Sequence, residues 1–148
     1  MDELTHTDSE GKASMVDISD KEVQFRSAKA SGHIRLTSET LSLIRDNMMK
    51  KGDVLTVAQI AGINAAKQTY SLIPLCHNIL INYVKVDLFP DETGIIAQSE
   101  VHTIGRTGIE MEALTAVSVA LLTVYDMCKS VDRMMVIDKV LLTEKTKR

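Results

Sequence analysis

The chain has 148 residues, of which 45% are hydrophobic and 25% charged, and its formal net charge is −3. This length and composition are typical of one globular domain with a sizeable core. The negative charge argues against a surface that binds nucleic-acid phosphates or an anionic membrane in bulk, although a local cationic pocket is compatible with it. We find neither an apolar run of roughly 18 residues nor a secretory signal, so the sequence predicts neither a membrane span nor export.

The N-terminal residues 1–14 are polar and aperiodic, which predicts a mobile arm ahead of a single domain over residues 15–148. Residues 15–36 suit extended structure, because they contain β-branched and aromatic residues. Ser38 then opens a helix as the residue that accepts a bond from a free backbone N–H. That helix is expected to end at Lys50-Lys51-Gly52.

Asp53 is the predicted N-cap of a second helix, which Pro74 ends. Residues at helical spacing predict close packing of this helix, namely Val54, Ala58, Ala61 and Ala65. A strand follows over residues 80–88, with alternate side chains facing one way: Val84, Val86 and Leu88. After a turn that contains Gly94, a further strand is predicted over residues 95–103.

The last elements are a loop at Gly105-Arg106-Thr107-Gly108, a long helix over about residues 109–131 and a strand over about residues 134–143. The full order is therefore β, α, α, β, β, α, β. This order predicts an α+β fold, a ferredoxin-like βαββαβ arrangement with one additional helix and an antiparallel sheet packed on helices.

The long helix carries chemistry-bearing side chains on one face. At about 100° per residue, six residues fall within about 100° of each other: Met111, Glu112, Thr115, Leu122, Asp126 and Lys129. The opposite stripe is apolar and should face the sheet: Ala113, Leu114, Val117, Leu121, Val124 and Cys128. Glu112 and Asp126 are 14 positions apart, which is about 21 Å along the axis at about 1.5 Å per residue.

One small substrate cannot easily touch both carboxylates of the same chain. Either they serve unrelated purposes, or a second subunit brings one end of its helix to the other end of this one, so that a symmetric dimer makes two composite sites. The plainer interpretation is that Glu112 complements the helix dipole and that Asp126 and Lys129 form a surface pair.

Other polar residues also have two interpretations. Lys51 beside a helix N-terminus suits a phosphate, or it is a solvated loop lysine. His77 before a strand could be an acid, a base or a packed core histidine, and Lys67 is a favourable cation near a helix end. The loop at 105–108 is a weak anion-binding signal, and the basic tail over residues 139–148 could cover a polyphosphate or be a solvated end.

Metal binding and disulfide formation have little support in the sequence. Cys76 and Cys128 stand far apart, which suggests reduced thiols and a cytoplasmic setting. The cysteines lack zinc-type spacing, and the histidines lack i,i+4 pairing: His6, His33, His77 and His102. We expect His33 and His102 at exposed strand positions.

Several spaced motifs stand together in one order. The main ones are Pro74-Leu75-Cys76-His77, Thr107-Gly108-Ile109-Glu110-Met111-Glu112-Ala113-Leu114 and Tyr125-Asp126-Met127-Cys128-Lys129. Shorter ones are Leu4-Thr5-His6, Met15-Val16-Asp17-Ile18-Ser19, Lys51-Gly52-Asp53-Val54, Ala61-Gly62-Ile63 and Ala65-Ala66-Lys67. With these motifs the chain resembles, over nearly its whole length, the cyclic pyranopterin monophosphate synthase family of molybdenum-cofactor biosynthesis (the molybdenum cofactor biosynthesis protein C family).

The resemblance implies a ferredoxin-like fold and a homohexamer of three dimers with active sites at the dimer interface. It implies a lyase that converts the 3′,8-cyclised dihydro-GTP to cyclic pyranopterin monophosphate and pyrophosphate. No cofactor is implied, and Mg²⁺ would enter only as a counter-ion of the triphosphate. Nucleic acid and membrane are not expected as partners.

The resemblance also implies roles for particular residues. Three are carried over as catalytic: Asp126, Lys129 and Lys51. Five are carried over as substrate-binding: Leu75, Cys76, His77, Met111 and Glu112. Four more match positions near the substrate: Glu110, Arg26, Lys67 and Lys145. Two departures stand out, since Asn78 replaces a proline of many relatives and the usual Gly-rich basic tail is absent.

Two other functions are compatible with this order of elements. One is a non-catalytic ferredoxin-like module that binds a nucleotide or regulates a partner. The other is an RNA-binding domain, which requires exposed aromatic side chains on the central strands. The predicted strand segment Ile95-Ile96-Ala97-Gln98-Ser99-Glu100 has none, and the chain has only two Phe and no Trp.

Overall fold

A computed structural model describes residues 7–148, so the motif Leu4-Thr5-His6 and the first six residues of the expected arm lie outside the described residues. Within the remaining arm, Thr7 and Ala13 form an isolated antiparallel bridge. The helices and strands follow in the order β1 (Gln24–Arg35), α1 (Ser38–Arg45), α2 (Val54–Leu72), β2 (Tyr83–Pro90), β3 (Gly94–Gly105), α3 (Glu110–Cys128) and β4 (Val136–Lys147).

The four strands form one sheet in the order β2-β3-β1-β4, and every neighbouring pair is antiparallel. The helices α2 and α3 pack against each other and against the sheet, with the apolar core between the layers. This arrangement confirms the predicted ferredoxin-like fold with one additional helix.

Several element ends differ from the prediction. The N-cap of α1 is Thr37, whose side chain accepts a bond from the Thr40 N–H, so Ser38 is the first helical residue and not the cap. The helix stops at Arg45, because Asn47 adopts a left-handed backbone with φ 53°. The last strand extends to Lys147, since it pairs with almost the whole of β1.

The two long helices lie unusually close together. Asp53 caps α2 as predicted, accepting a bond from the Thr56 N–H. A Cβ on Gly62 of α2 would lie 2.9 Å from the Ala116 carbonyl oxygen of α3, so only glycine permits this approach. The close packing fixes α2 and α3 as one unit.

The apolar stripe of α3 forms the centre of the core, as the helical periodicity predicted. Its fully buried members include Ala113, Val117, Leu121, Val124 and Cys128. By length and hydropathy alone α3 could cross a membrane, but 50% of that window is buried inside the fold. The composition of α3 is therefore explained by its contact with the sheet and α2.

The expectation that His33 is exposed was wrong. His33 is only 7% exposed, and its Nδ1 lies 3.0 Å from a carboxylate oxygen of Asp138 on β4. On the other side of the ring, Nε2 lies 3.0 Å from the Thr93 hydroxyl in the turn between β2 and β3. The strand alternation places His33 on the face away from the helices, but these side chains cover it there.

Candidate active site

A pocket lies at the beginning of α3. Its volume is about 350 Å³, and its walls come from the segment after α2, the loop before α3, the first turn of α3 and the chain before β1. Six of the nine residues expected at the substrate line it: Leu75, Cys76, His77, Glu110, Met111 and Glu112. The fold therefore brings together two motifs that are more than thirty positions apart in the sequence.

Glu112 lies in the first turn of α3, where a carboxylate complements the helix dipole, and its carboxyl group is buried. It is only 4% exposed. Burial raises the pKa of Glu112 to about 7, its own backbone N–H opposes that rise, and the neighbouring Glu110 carboxylate adds to it. Near neutral pH this side chain is therefore able both to hold and to release a proton.

Glu110 lies beside Glu112 but has cationic neighbours. It forms an ion pair with Lys145 of β4. Burial opposes ionisation of Glu110, but the hydrogen bond from Lys145 and the charges of Lys145 and Arg26 outweigh it and lower its pKa. Arg26 is itself buried, and its Nε donates to the Gly105 carbonyl oxygen at 3.1 Å. These residues form a charged rim next to the pocket.

The backbone of the loop before α3 makes room for this rim. A Cβ on Gly108 would collide with both carboxylate oxygens of Glu110. The absence of a side chain at Gly108 therefore lets the Glu110 carboxylate fold back toward the loop and reach Lys145.

His77 contacts a part of the chain that the sequence did not connect with it. Its Nε2 donates to the Val16 carbonyl oxygen at 2.6 Å, and a carbonyl oxygen can only accept, so the hydrogen of this bond is on Nε2. Next to it, burial raises the pKa of the Cys76 thiol, with further contributions from Glu112 and Glu110. Cys76 therefore stays a neutral thiol at physiological pH.

Sequence reasoning missed the contribution of the segment between the arm and β1. Val16, Ile18 and Lys21 line the pocket, although none of them was expected at the site. The alternation of half-buried Val16 and Ile18 with exposed Asp17 is the signal that could have identified an extended segment with one face covered.

A second cluster lies at the other end of α3. Lys51 Nζ lies 2.9 Å from Asp126 Oδ2, and Lys129 Nζ lies 2.8 Å from Asp126 Oδ1. The hydrogen bonds from Lys129 and Lys51, together with their charges, lower the pKa of Asp126 to about 2. The hydrogen bond with Asp126 and its charge in turn raise the pKa of Lys129. All three predicted catalytic residues therefore meet, in an exposed position.

The local backbone explains how Lys51 reaches α3. The segment between α1 and α2 returns toward the C-terminal end of α3, with Met49 buried in the core and Gly52 in a left-handed conformation at φ 102°. On the same side of α3, Leu122 and Tyr125 remain 56% and 39% exposed. An apolar surface therefore adjoins the charged cluster.

Within one chain the two clusters stay apart, since Glu112 and Asp126 lie about 21 Å from each other along the helix axis. Lys67 joins neither cluster. It lies on the exposed side of α2, along a groove lined by residues 78–84. The predicted site residues therefore fall into the pocket group with its charged rim, the lysine–aspartate group, and Lys67, which lies apart from both.

Comparison with known proteins gave two findings. A family model described as the MoaC family matches residues 15–148. A curated protein from Peptoclostridium acidaminophilum, named cyclic pyranopterin monophosphate synthase, is 52% identical over 144 residues, which cover 97% of this chain and 92% of the relative. The family match spans both ends of α3 and all the predicted site residues.

Proposed function

We propose that this chain, which belongs to the MoaC family, is a cyclic pyranopterin monophosphate synthase of molybdenum-cofactor biosynthesis. The reaction converts 3′,8-cyclised dihydro-GTP to cyclic pyranopterin monophosphate and releases pyrophosphate, which makes the enzyme a phosphorus–oxygen lyase. The observation that carries the proposal is the pair of clusters at the two ends of α3, because they provide different chemistry for the two ends of such a substrate.

The lysine–aspartate cluster suits the reacting and phosphate-bearing part of the substrate. Lys51 and Lys129 each carry an ammonium group within 2.9 Å of Asp126. Paired cations offset the charge of a triphosphate and stabilise pyrophosphate as it leaves. Opening and reclosing a purine-derived ring needs proton transfers at several atoms, for which the ammonium groups of Lys129 and Lys51 are proton donors and Asp126 orients them.

The pocket at the beginning of α3 suits the ring system. Its size of about 350 Å³ is within the range of small-molecule sites. A guanine-derived ring presents N–H donors and carbonyl acceptors, and the buried Glu112 meets such an edge in a region with little water. Leu75 and Met111 supply apolar contacts, and His77 supplies a further polar group.

A single chain does not bring these two clusters to one small molecule. We therefore propose that the site is composite, with the pocket of one subunit facing the lysine–aspartate cluster of its partner across a two-fold axis. Leu122 and Tyr125, exposed beside Asp126, supply the apolar area that such a contact buries. The homohexamer of three dimers is part of the same proposal.

The remaining parts of the proposal concern conditions. Cys76 and Cys128 are both free thiols, which suits a reducing cytoplasm. The proposed chemistry requires no cofactor, and Mg²⁺ serves only as a counter-ion of the triphosphate. Lys67 and the rim of Arg26, Lys145 and Glu110 are proposed as further contacts of the substrate.

The direct test is incubation of the purified protein with the 3′,8-cyclised dihydro-GTP, followed by mass spectrometry. We expect the cyclic phosphate product and an equal amount of pyrophosphate. Tight binding without conversion would contradict the proposal and favour a nucleotide-binding module instead. Addition of a chelator separates a required Mg²⁺ from an optional one.

The composite site has its own test. Asp126→Asn and Glu112→Gln damage opposite halves, so each homogeneous variant should lose most of its activity. In a dimer of one chain of each variant, one site contains both substitutions and the other contains neither. Random mixing of equal amounts makes about half of the dimers mixed, so it should restore about a quarter of the wild-type activity. A mixture as inactive as its two components would place both halves of each site in one chain.

A further inference from the structure

A buried carboxylate lies just beyond the C-terminal end of α3. Asp132 is 3% exposed, and it lies six residues after Asp126 and three after Lys129. Its Oδ2 accepts hydrogen bonds from the Thr37 N–H and from the Thr40 hydroxyl, both at 2.9 Å. Its Oδ1 accepts a bond from the Met134 N–H at 3.0 Å.

These bonds keep the group charged in the interior. Burial opposes ionisation, but the bonds from the Thr37 N–H, the Met134 N–H and the Thr40 hydroxyl outweigh it and lower the pKa of Asp132. The negative charge also lies at the N-terminus of α1, which the helix dipole favours. The carboxylate therefore acts as a rigid acceptor that holds three donors from two separate segments.

The contacts of Asp132 complete a closed series of contacts, called the ring below, that links the end of α3, the start of α1 and the lysine–aspartate cluster. The end of α3 is tied to Asp132 by the bond from the Asp132 N–H to the Cys128 carbonyl oxygen at 3.1 Å. Asp132 is tied to the start of α1 through Thr37 and Thr40. From α1 the chain continues to Lys51, whose Nζ returns to Asp126 on α3.

The position of Lys51 depends on this ring because the lysine side chain is long and exposed. Apart from the Asp126 carboxylate, Lys51 Nζ contacts the backbone carbonyl oxygen of Asp126, at the longer distance of 3.5 Å. A shift of α1 relative to α3 would therefore change the Lys51–Asp126 geometry directly. A misplacement of about 1 Å in a catalytic group costs about 100-fold in rate.

We propose that Asp132 is a positioning residue, which anchors α1 to the end of α3 and so fixes Lys51 against Asp126. Asp132 itself does not touch the substrate. The kinetic part of this inference rests on the proposed function, whereas the geometric part does not.

The test compares Asp132→Asn with the wild type in the assembled, full-length protein. We expect kcat to fall by about tenfold with a smaller change in KM, because most substrate contacts remain while Lys51 is misplaced. Brief labelling with acetic anhydride should modify Lys51 about threefold faster, because its Nζ is no longer covered by the Asp126 carboxylate. Peptide mass spectrometry reads this rate without any turnover.

The matched control is Ser99→Ala. Ser99 is also buried, and its hydroxyl donates to the Ala113 carbonyl oxygen at 2.7 Å, far along α3 from Asp126. It should lower the unfolding temperature while leaving Lys51 labelling at the wild-type rate. If Asp132→Asn does not fold, Thr40→Val removes one bond to the carboxylate, and Thr40→Ser should restore both readouts.

The outcomes distinguish a failure of the proposed function from a failure of the positioning role of Asp132. A wild-type protein that does not turn over the substrate overturns the proposed function, and the labelling still decides the geometry. Wild-type kcat in a folded Asp132→Asn variant overturns the positioning role. A lower kcat with unchanged Lys51 labelling overturns it as well, because the effect then does not pass through Lys51.

Discussion

The two ends of α3 place similar carboxyl groups in opposite environments. Glu112 is buried, and burial raises its pKa to about 7. Asp126 is exposed, and two lysines lower its pKa to about 2. Near neutral pH the first is able to exchange a proton, whereas the second stays ionised and orients its cations. The difference comes from burial and neighbours, because both residues lie on one side of the same helix.

The largest expected effect is at the exposed end. Lys129→Ala should reduce product formation by about 10²- to 10⁴-fold, which is the range for the loss of a proton-transferring group. Stability should hardly change, since ion pairs exposed to solvent contribute little to the free energy of unfolding. Steady-state kinetics and thermal unfolding measure the two quantities separately.

Lys85→Ala is the matched control for that variant. Lys85 is an exposed lysine paired with Asp87 at 3.4 Å on the sheet, so its loss removes a similar ion pair away from α3. Equal activity losses in Lys85→Ala and Lys129→Ala would remove the distinction between a reactive pair and an ordinary surface pair.

The next effect is at the buried end and concerns stability. The folded-state pKa of Glu112, about 7, lies above its ordinary value of 4.5, so the folded protein keeps this proton up to a higher pH than the unfolded chain does. The contribution of Glu112 to the free energy of unfolding is therefore lost as pH rises from about 4.5 to 7 and stays constant above that. Glu112→Gln should remove this component, which amounts to about 1–3 kcal/mol.

Urea unfolding at pH 5 and pH 8, at one protein concentration, measures this component. The exposed Glu39 in the first turn of α1 provides the control Glu39→Gln, which should retain the wild-type pH dependence. If Glu112→Gln also retains it, the buried end does not hold a proton near neutrality, and the contrast between the two ends disappears.

The smallest effect concerns the rim beside Glu112. Gly108→Ala should push the Glu110 carboxylate away from Lys145, because the added Cβ needs its space. We expect KM to rise by about two- to fivefold with little change in kcat, because the Glu110–Lys145 ion pair is half-exposed and its strength is modest. In Gly105→Ala the nearest atom to the Cβ is at an ordinary 3.6 Å, so KM should stay unchanged; a rise there too would point to the loop backbone instead of Glu110.

The order of elements and the core were predictable because they follow from local patterns. The periodicity of α3 predicted its buried stripe, and Asp53 predicted the start of α2. The ends of α1 were not predictable, because Thr37 is as good an N-cap residue as Ser38 and because the left-handed backbone of Asn47 determines where the helix stops. The burial of His33 depends on Asp138 and Thr93, which lie on other strands and turns.

For the candidate site, the resemblance pointed to residues that the structure groups together, but it did not predict the environment of each one. The resemblance placed Asp126, Lys129 and Lys51 together, and the structure joins them by direct ion pairs. The helical wheel put Glu112 and Asp126 on one face and so could not show that one is covered and the other open. The cover over Glu112 comes from segments remote in sequence, and no periodicity within α3 contains that information.

The close contact of Gly62 with Ala116 has a consequence for how such enzymes could diverge. Because α2 and α3 cannot slide past each other, the number of residues between Glu112 and Asp126 sets both the distance and the rotation about the helix axis that separate the two side chains. An insertion in a surface loop leaves this spacing unchanged. One extra residue within α3 would turn Asp126 by about 100° away from the side of Glu112, so length changes should be tolerated in the loops and rejected in this helix.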